Sequence, residues 1–405
     1  MLQLTKMAFR DLGRNRRRTF FSALAISVGL AILILMSSVV KGEMGSAIEG
    51  GIVLESGHIQ VRAASYNPNK SSLKWEDLVA DPDQIAKQIA SLPDVKAATP
   101  RLFASGFITA RNQSAGARIY GIDPASAASD PYRLGIISGS YLSVDDSGGL
   151  LIGKPVAEKL HLKAGDNVNL SVNTANGDVA EQIFAVRGIY STNTYAFDSA
   201  TIFLTLAKAQ AITQTQNHAS TVFVLLKDTS STDAVAAALT ASNLKVLTWE
   251  DLNPLVLEWE NLANSYIGIL YLIILAIAAS VIINTLIMSV YERTREIGIL
   301  SAIGMRGGRI MFLFLVECAF LAVAGVIMGI LLGLLGVSLF NINGFYIGNM
   351  ALTGFMVADT IFAELTMNNI INLSTMTFIV TILAGLYPAI MASRMQPVEA
   401  LRAEK

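Results

Sequence analysis

The residues best placed to do chemistry in this chain crowd into residues 291–309, where Glu292, Arg293, Arg295 and Glu296 are followed by Ile297, Gly298, Ile299, Leu300, Ala302 and Ile303. Spacings of three residues let opposite charges pair on a helix, which is the chemistry of docking and holding rather than of bond making. Gly304 and the pair Gly307-Gly308 supply a stop. The spacing therefore predicts a short helix that exposes Ile297, Ile299, Leu300 and Ile303 in its second half. A plain connector pinned by positive charge is the alternative reading.

The other reactive-looking stretches fail on their own terms. Residues 148–155 match a phosphate-cradling loop until Pro155 takes the place of the Ser or Thr whose hydroxyl would hold magnesium. His58, His161 and His218 are scattered without metal-ligand spacing. There is no GxSxG elbow and no paired-acid pattern. Cys318 is the single cysteine and falls in an apolar run, so neither an intrachain disulfide nor a cysteine metal cage can form. The chain is read as non-enzymatic, with no cofactor of its own.

What must position the 291–309 segment is a membrane. The chain has 405 residues, is 53% hydrophobic and only 15% charged, and has a mean hydropathy of +0.51, which is too apolar for an ordinary soluble enzyme. A net charge of −1 argues against a nucleic-acid surface. Four uncharged or nearly uncharged runs predict transmembrane helices at 20–40, 265–290, 310–340 and 373–393, each long enough to cross about 30 Å of hydrocarbon. Asn284 in the second run is expected to face another helix, because an interhelical hydrogen bond would offset its burial in lipid. Gly325, Gly329 and Gly333 in the third form a doubled GxxxG ridge that favours close helix packing. Glu317 lies near one end of that run, where it could reach the headgroups or pair with a nearby arginine.

Lys and Arg gather in residues 1–19, 291–309 and 394–405, while 341–372 has none. The positive-inside rule then puts the first three in the cytoplasm, with 1–19 as a basic amphipathic helix. It puts residues 41–264 and 341–372 outside. Residues 41–264 change character, with charges of both signs and short alternating segments. Helix-then-strand patterns recur at 82–98 and 232–248, on both sides of a middle section with several β-like runs. The fold expected is thus a four-helix membrane protein with a large extracytoplasmic α/β plus β domain. Its α/β base spans about 41–133 and 212–264, and its mainly β insert about 134–211.

These features together resemble a known family. Arg293-Thr294-Arg295-Glu296-Ile297-Gly298-Ile299-Leu300, then Ala302-Ile303-Gly304, is similar to the most recognisable motif of the MacB, FtsX and LolC/LolE class of ABC transporter permeases. Tyr387-Pro388-Ala389 and Pro397-Val398-Glu399-Ala400-Leu401-Arg402 resemble its C-terminal signature. The order of one span, a large external domain and three more spans also matches, with the external domain similar to that family's Porter and Sabre subdomains. The absence of a fused nucleotide-binding domain resembles the lipoprotein-releasing branch.

The resemblance implies a mechanotransmission permease in the inner (plasma) membrane. It would pair with a second permease subunit as a homo- or heterodimer and dock on a cytoplasmic ABC ATPase that binds ATP and magnesium. The docking residues would be Glu292, Arg293, Arg295, Glu296, Ile297, Gly298, Leu300, Ala302 and Gly304. The substrate would be a lipoprotein, a lipid or a periplasmic protein. An FtsX-like regulator that activates an envelope hydrolase or sensor is the alternative.

Overall fold

Apolar side chains in lipid leave the backbone no partner but itself, so each hydrophobic run becomes a helix. The computed structural model describes residues 7, 10, 16–67, 73–239, 244–347 and 358–396. Most of the basic segment expected at 1–19, and the motif at 397–402, lie outside them. Among the described residues four helices are long and apolar enough to cross a membrane: Arg16–Gly50, Pro254–Glu292, Gly307–Asn343 and Met367–Ser393. The first two outrun their hydrophobic stretches by about ten residues. Hydropathy marks only the lipid-facing part, whereas i→i+4 hydrogen bonding continues into polar sequence. At 1.5 Å per residue, 39 residues extend about 58 Å, roughly twice the bilayer core.

The chain divides into two compact units, one of Met1–Gly42, Asn261–Phe345 and Phe362–Lys405, the other of Glu43–Glu260 and Tyr346–Ile361. In the membrane unit the glycine ridge of the third helix lies on the first helix. A Cβ added to Gly325 would stand 2.7 Å from Ile26, at Gly329 2.9 Å from Leu30, and at Gly333 3.0 Å from Ile34. The matched spacing of four on both helices brings the two backbones together where a side chain would hold them apart. One end of the bundle is tied by residues 363–366. Asn341 exchanges two hydrogen bonds with the Ala363 backbone, at 2.9 and 2.7 Å. The Glu364 amide donates to Ser38 O at 2.8 Å.

Asn284 does not meet the expectation set for it. The buried stripe of the second helix runs through Leu275, Ala278, Ile282, Leu286 and Val290, at steps of three and four. Asn284, two residues past Ile282, is turned to the opposite side and is exposed on this chain.

In the large unit ten strands join in one sheet system. Leu244–Thr248, Ile59–Ala63, Thr221–Leu226, Val95–Ala110, Gln113–Ile122, Thr201–Thr205, Gly149–Gly153, Val179–Tyr190 and Ile136–Gly139 lie in that order. Asn167–Asn173 pairs with both Val95–Ala110 and Val179–Tyr190. The α/β base is present: Pro82–Ala90 and Thr232–Leu239 cover the first strands with Ala86, Ile89 and Val235 in their core.

The strand that ends the 82–98 pattern continues to residue 110, so that Val95–Ala110 is one strand of 16 residues. It pairs Pro100 with Val222 and, two residues on, Leu102 with Gly121. This strand belongs to both cores, and the core of the β section takes in Leu73, Leu78 and Leu102, well before residue 134. Sequence periodicity could not show that, because a strand changes its neighbours without changing its alternation.

Candidate coupling site

After the second membrane helix ends at Glu292, Thr294–Ala302 forms the short helix that the spacing predicts. Arg293 sits at the corner, and its Nη1 lies 2.7 Å from Glu317 Oε1 and its Nε 3.2 Å from Glu296 Oε2. Glu317 belongs to the third membrane helix and is only 4% exposed. Its carboxylate therefore takes the arginine rather than the headgroups. The Arg293 guanidinium carbon also stands 5.9 Å from the centre of the Phe314 ring.

Ile297 is buried, not exposed as its spacing suggested. It packs with Val290, Ile310, Phe314, Ala389 and Ala392, which belong to the second, third and fourth membrane helices. Gly298 is buried beside it and Leu300 is half-buried. The outward stripe consists of Arg295, Ile299, Ala302 and Ile303, with Glu292 and Gly304 also exposed. Ile303 is 81% exposed. A nine-residue amphipathic segment is thus anchored inward by one isoleucine and one arginine, and offers a mixed charged and apolar face outward. Of the residues predicted to meet a partner, Arg295, Ala302, Glu292 and Gly304 can be touched. Arg293, Glu296, Ile297 and Gly298 hold the segment in place.

A model of the MacB-like periplasmic core domain matches residues 19–242, and one of the FtsX-like permease C-terminal region matches residues 268–397. This chain belongs to the MacB/FtsX-like family of ABC transporter permeases. The permease is 24% identical to the lipoprotein-releasing system transmembrane protein LolC of Neisseria meningitidis, over 95% of this chain and 94% of that protein. It is 22% identical to the macrolide export ATP-binding/permease protein MacB of a Shewanella strain, over 98% of this chain but 60% of that longer protein. The crystal structure of the periplasmic region of MacB from Actinobacillus actinomycetemcomitans aligns with 50% of the chain and 97% of the solved chain, at 13% identity and a TM-score of 0.36.

The remaining sequence candidates have structural explanations. Gly149–Gly153 is a buried strand continued by the helix Lys154–Lys159, so the permease has no open phosphate-cradling loop there. His58 bonds Thr229 and accepts from the Leu226 amide. No cluster of metal-ligating side chains occurs among the described residues.

Sequence reading passed over a group of arginines in the large unit. Gly51–Ser56, directly after the first membrane helix, is a π-helical turn, a form that often marks functional positions. Arg101, 0% exposed, donates to Leu54 O at 3.2 Å and Ala128 O at 3.1 Å, with its guanidinium carbon 3.3 Å above the Phe223 ring. Tyr132 Oη donates to the same Leu54 carbonyl at 2.7 Å. Arg118 Nη1 lies 2.7 Å from Glu55 Oε1, and Gln60 Nε2 donates to the Glu55 carbonyl at 3.1 Å. The signal available beforehand was an arginine among apolar neighbours, as in Val61-Arg62-Ala63 and Arg101-Leu102-Phe103. Elsewhere in this unit, burial pushes the Asp198 carboxyl up to about 6 against hydrogen bonds from Thr192 and Ser191 that pull it down.

Proposed function

We propose that the permease is the mechanotransmission subunit of an ABC system, taking force from a separate cytoplasmic ATPase at the Thr294–Ala302 segment and delivering it to its extracytoplasmic domain. The observation that carries this reading is the seating of Ile297 against three membrane helices while Arg295, Ile299 and Ile303 face outward. A push on such a segment reaches three helices at once, because packed side chains transmit displacement rather than absorb it. ATP and magnesium would be held by the partner, and a second permease subunit would complete the membrane assembly. The inner membrane is the location that this arrangement requires.

Lipoprotein release is the substrate reading we favour. It rests on likeness to LolC over nearly the full length of both chains. Depletion of the permease is expected to leave acylated proteins in the inner membrane. A division or cell-wall defect with normal lipoprotein sorting would overturn the release reading in favour of an FtsX-like regulator. Co-purification of an ATPase with the wild-type chain, lost in Ile303→Glu, tests the coupling role separately.

A further inference from the structure

The large unit contains a cavity of about 290 Å³ whose lining includes Glu55, Gln60, Arg62, Tyr66, Arg118 and Tyr120. Arg62 is 7% exposed. Its Nε donates to Gln60 Oε1 at 2.7 Å, an uncharged acceptor, and its guanidinium carbon lies 5.1 Å from the Tyr66 ring centre. Among the described residues no carboxylate lies within ion-pairing distance of it. Its two Nη groups therefore border the cavity without an acceptor, which is an expensive arrangement for a buried cation.

The neighbourhood does not correct this imbalance. Glu55 is the one carboxylate acting on Arg62 and also on Arg118, and it is already engaged by Arg118 at 2.7 Å. The Nε of Arg118 and that of nearby Arg101 are buried without acceptors. Arg101 is satisfied on its Nη groups by neutral carbonyls alone. Two guanidiniums, Arg62 and Arg118, thus line the cavity against one carboxylate, an excess of one positive charge, with Arg101 nearby but outside its lining.

We propose that this cavity is a binding site for a phosphate group, received free or as the headgroup of a membrane lipid. A phosphate ester carries about one to two negative charges and several acceptor oxygens, which matches both the charge excess and the unused donors. The planar arginine fork suits a phosphate oxygen pair. The walls of the cavity favour a lipid as the source. Glu55 and Ser56 follow the first membrane helix in sequence, and Leu252 and Asn253 directly precede the second, so part of the lining is close in sequence to both membrane helices.

The test uses the full-length permease in maltoside micelles, which carry no phosphate. Thermal unfolding is followed with inorganic phosphate, with short-chain dihexanoyl phosphatidylglycerol below its micellar concentration, and with acetate at matched ionic strength. A saturable rise in Tm is expected with at least one phosphate probe and not with acetate. A rise with the lipid alone assigns a headgroup site, and equal response to both phosphate probes assigns a free-anion pocket. In Arg62→Met, which keeps the apolar stem, half-saturation is expected to move up by at least about tenfold. The probe-free Tm of that variant should be unchanged or higher, since an unpaired buried charge is gone. Should Arg62→Met fail to fold, Arg62→Lys decides, with weaker phosphate binding expected from loss of the fork. No saturable shift up to about 10 mM phosphate probe, an equal response to acetate, or wild-type affinity in the folded Arg62 variant would overturn the proposal.

Discussion

The Arg293 guanidinium lies 2.7 Å from the Glu317 carboxylate, joining the residue just past the second membrane helix to the interior of the third. Both are largely withdrawn from solvent, with side chains 14% and 5% exposed. Each ion offsets the burial of the other, and Arg293 also meets Glu296 at 3.2 Å.

Removing one partner of this pair is therefore expected to cost more than removing both. Glu317→Ala should destabilise the permease, by less than the about 3–5 kcal/mol of a wholly uncompensated buried charge, because Arg293 keeps Glu296. Arg293→Met combined with Glu317→Leu should recover much of that loss. Thermal unfolding of the three variants in detergent gives the comparison. A double variant less stable than Glu317→Ala would contradict it.

The two isoleucines of the coupling segment are expected to fail differently. Ile297 is 3% exposed and Ile303 81% exposed. Ile297→Ala should lower stability by about 2–4 kcal/mol through the cavity it leaves. Ile303→Glu should leave unfolding stability within about 0.5 kcal/mol of wild type while abolishing ATPase co-purification. Equal loss of ATPase binding in a folded Ile303→Glu and in wild type mixed with competitor would be consistent, whereas undiminished binding by Ile303→Glu would remove this face from the interface.

Gly329→Leu should force the first and third membrane helices apart, because even a Cβ at that position stands 3.0 Å from the Ser27 carbonyl as well as 2.9 Å from Leu30. Overpacking of this kind costs about 1–3 kcal/mol. Gly308→Ala, where an added Cβ has nothing within 4 Å, is the matched control. Disulfide crosslinking of cysteines placed at Leu30 and Val326 should fall in Gly329→Leu and persist in Gly308→Ala.

Asp198 predicts a pH dependence of definite sign. It is 2% exposed, and burial, assisted by the Asp359 charge, raises its carboxyl from 3.8 to about 6. A raised carboxyl means that the folded protein holds the proton more tightly than the unfolded chain. Stability from this group is complete below the unfolded value near 3.8 and is lost as pH rises through about 6. The difference is about 3 kcal/mol in total. Raising the pH from 5 to 7 should therefore lower Tm, and Asp198→Asn should flatten that dependence. An unaltered slope in Asp198→Asn would show that another group titrates in this window.

How much of this permease could be read before any folding follows from the range of the forces involved. Hydropathy and the distribution of Lys and Arg are properties of contiguous sequence, so the four membrane runs, the large intervening domain and the short helix after Glu292 were all legible. The strand Leu244–Thr248 falls at the end of the helix-then-strand pattern at 232–248, for the same reason. The glycine ridge was visible as a spacing, although its partner was not. Only packing could name Ile26, Leu30 and Ile34.

Facing is where sequence failed, because the side of a helix that becomes buried depends on what arrives against it. Asn284 was expected inward on the cost of an amide in lipid, yet the stripe through Ile282 and Leu286 met the other helices and left it outside. Ile297 was expected outward beside Ile299, but the ends of three helices close over it. Arg62 and Arg118 lie on separate strands, and nothing in their spacing says that they face one carboxylate, Glu55. Sequence alone determined which segments enter the membrane and which stay in water, since that choice is made residue by residue against solvent. Tertiary structure alone decided which charges meet and which faces remain open, since that choice belongs to pairs of residues far apart in the chain.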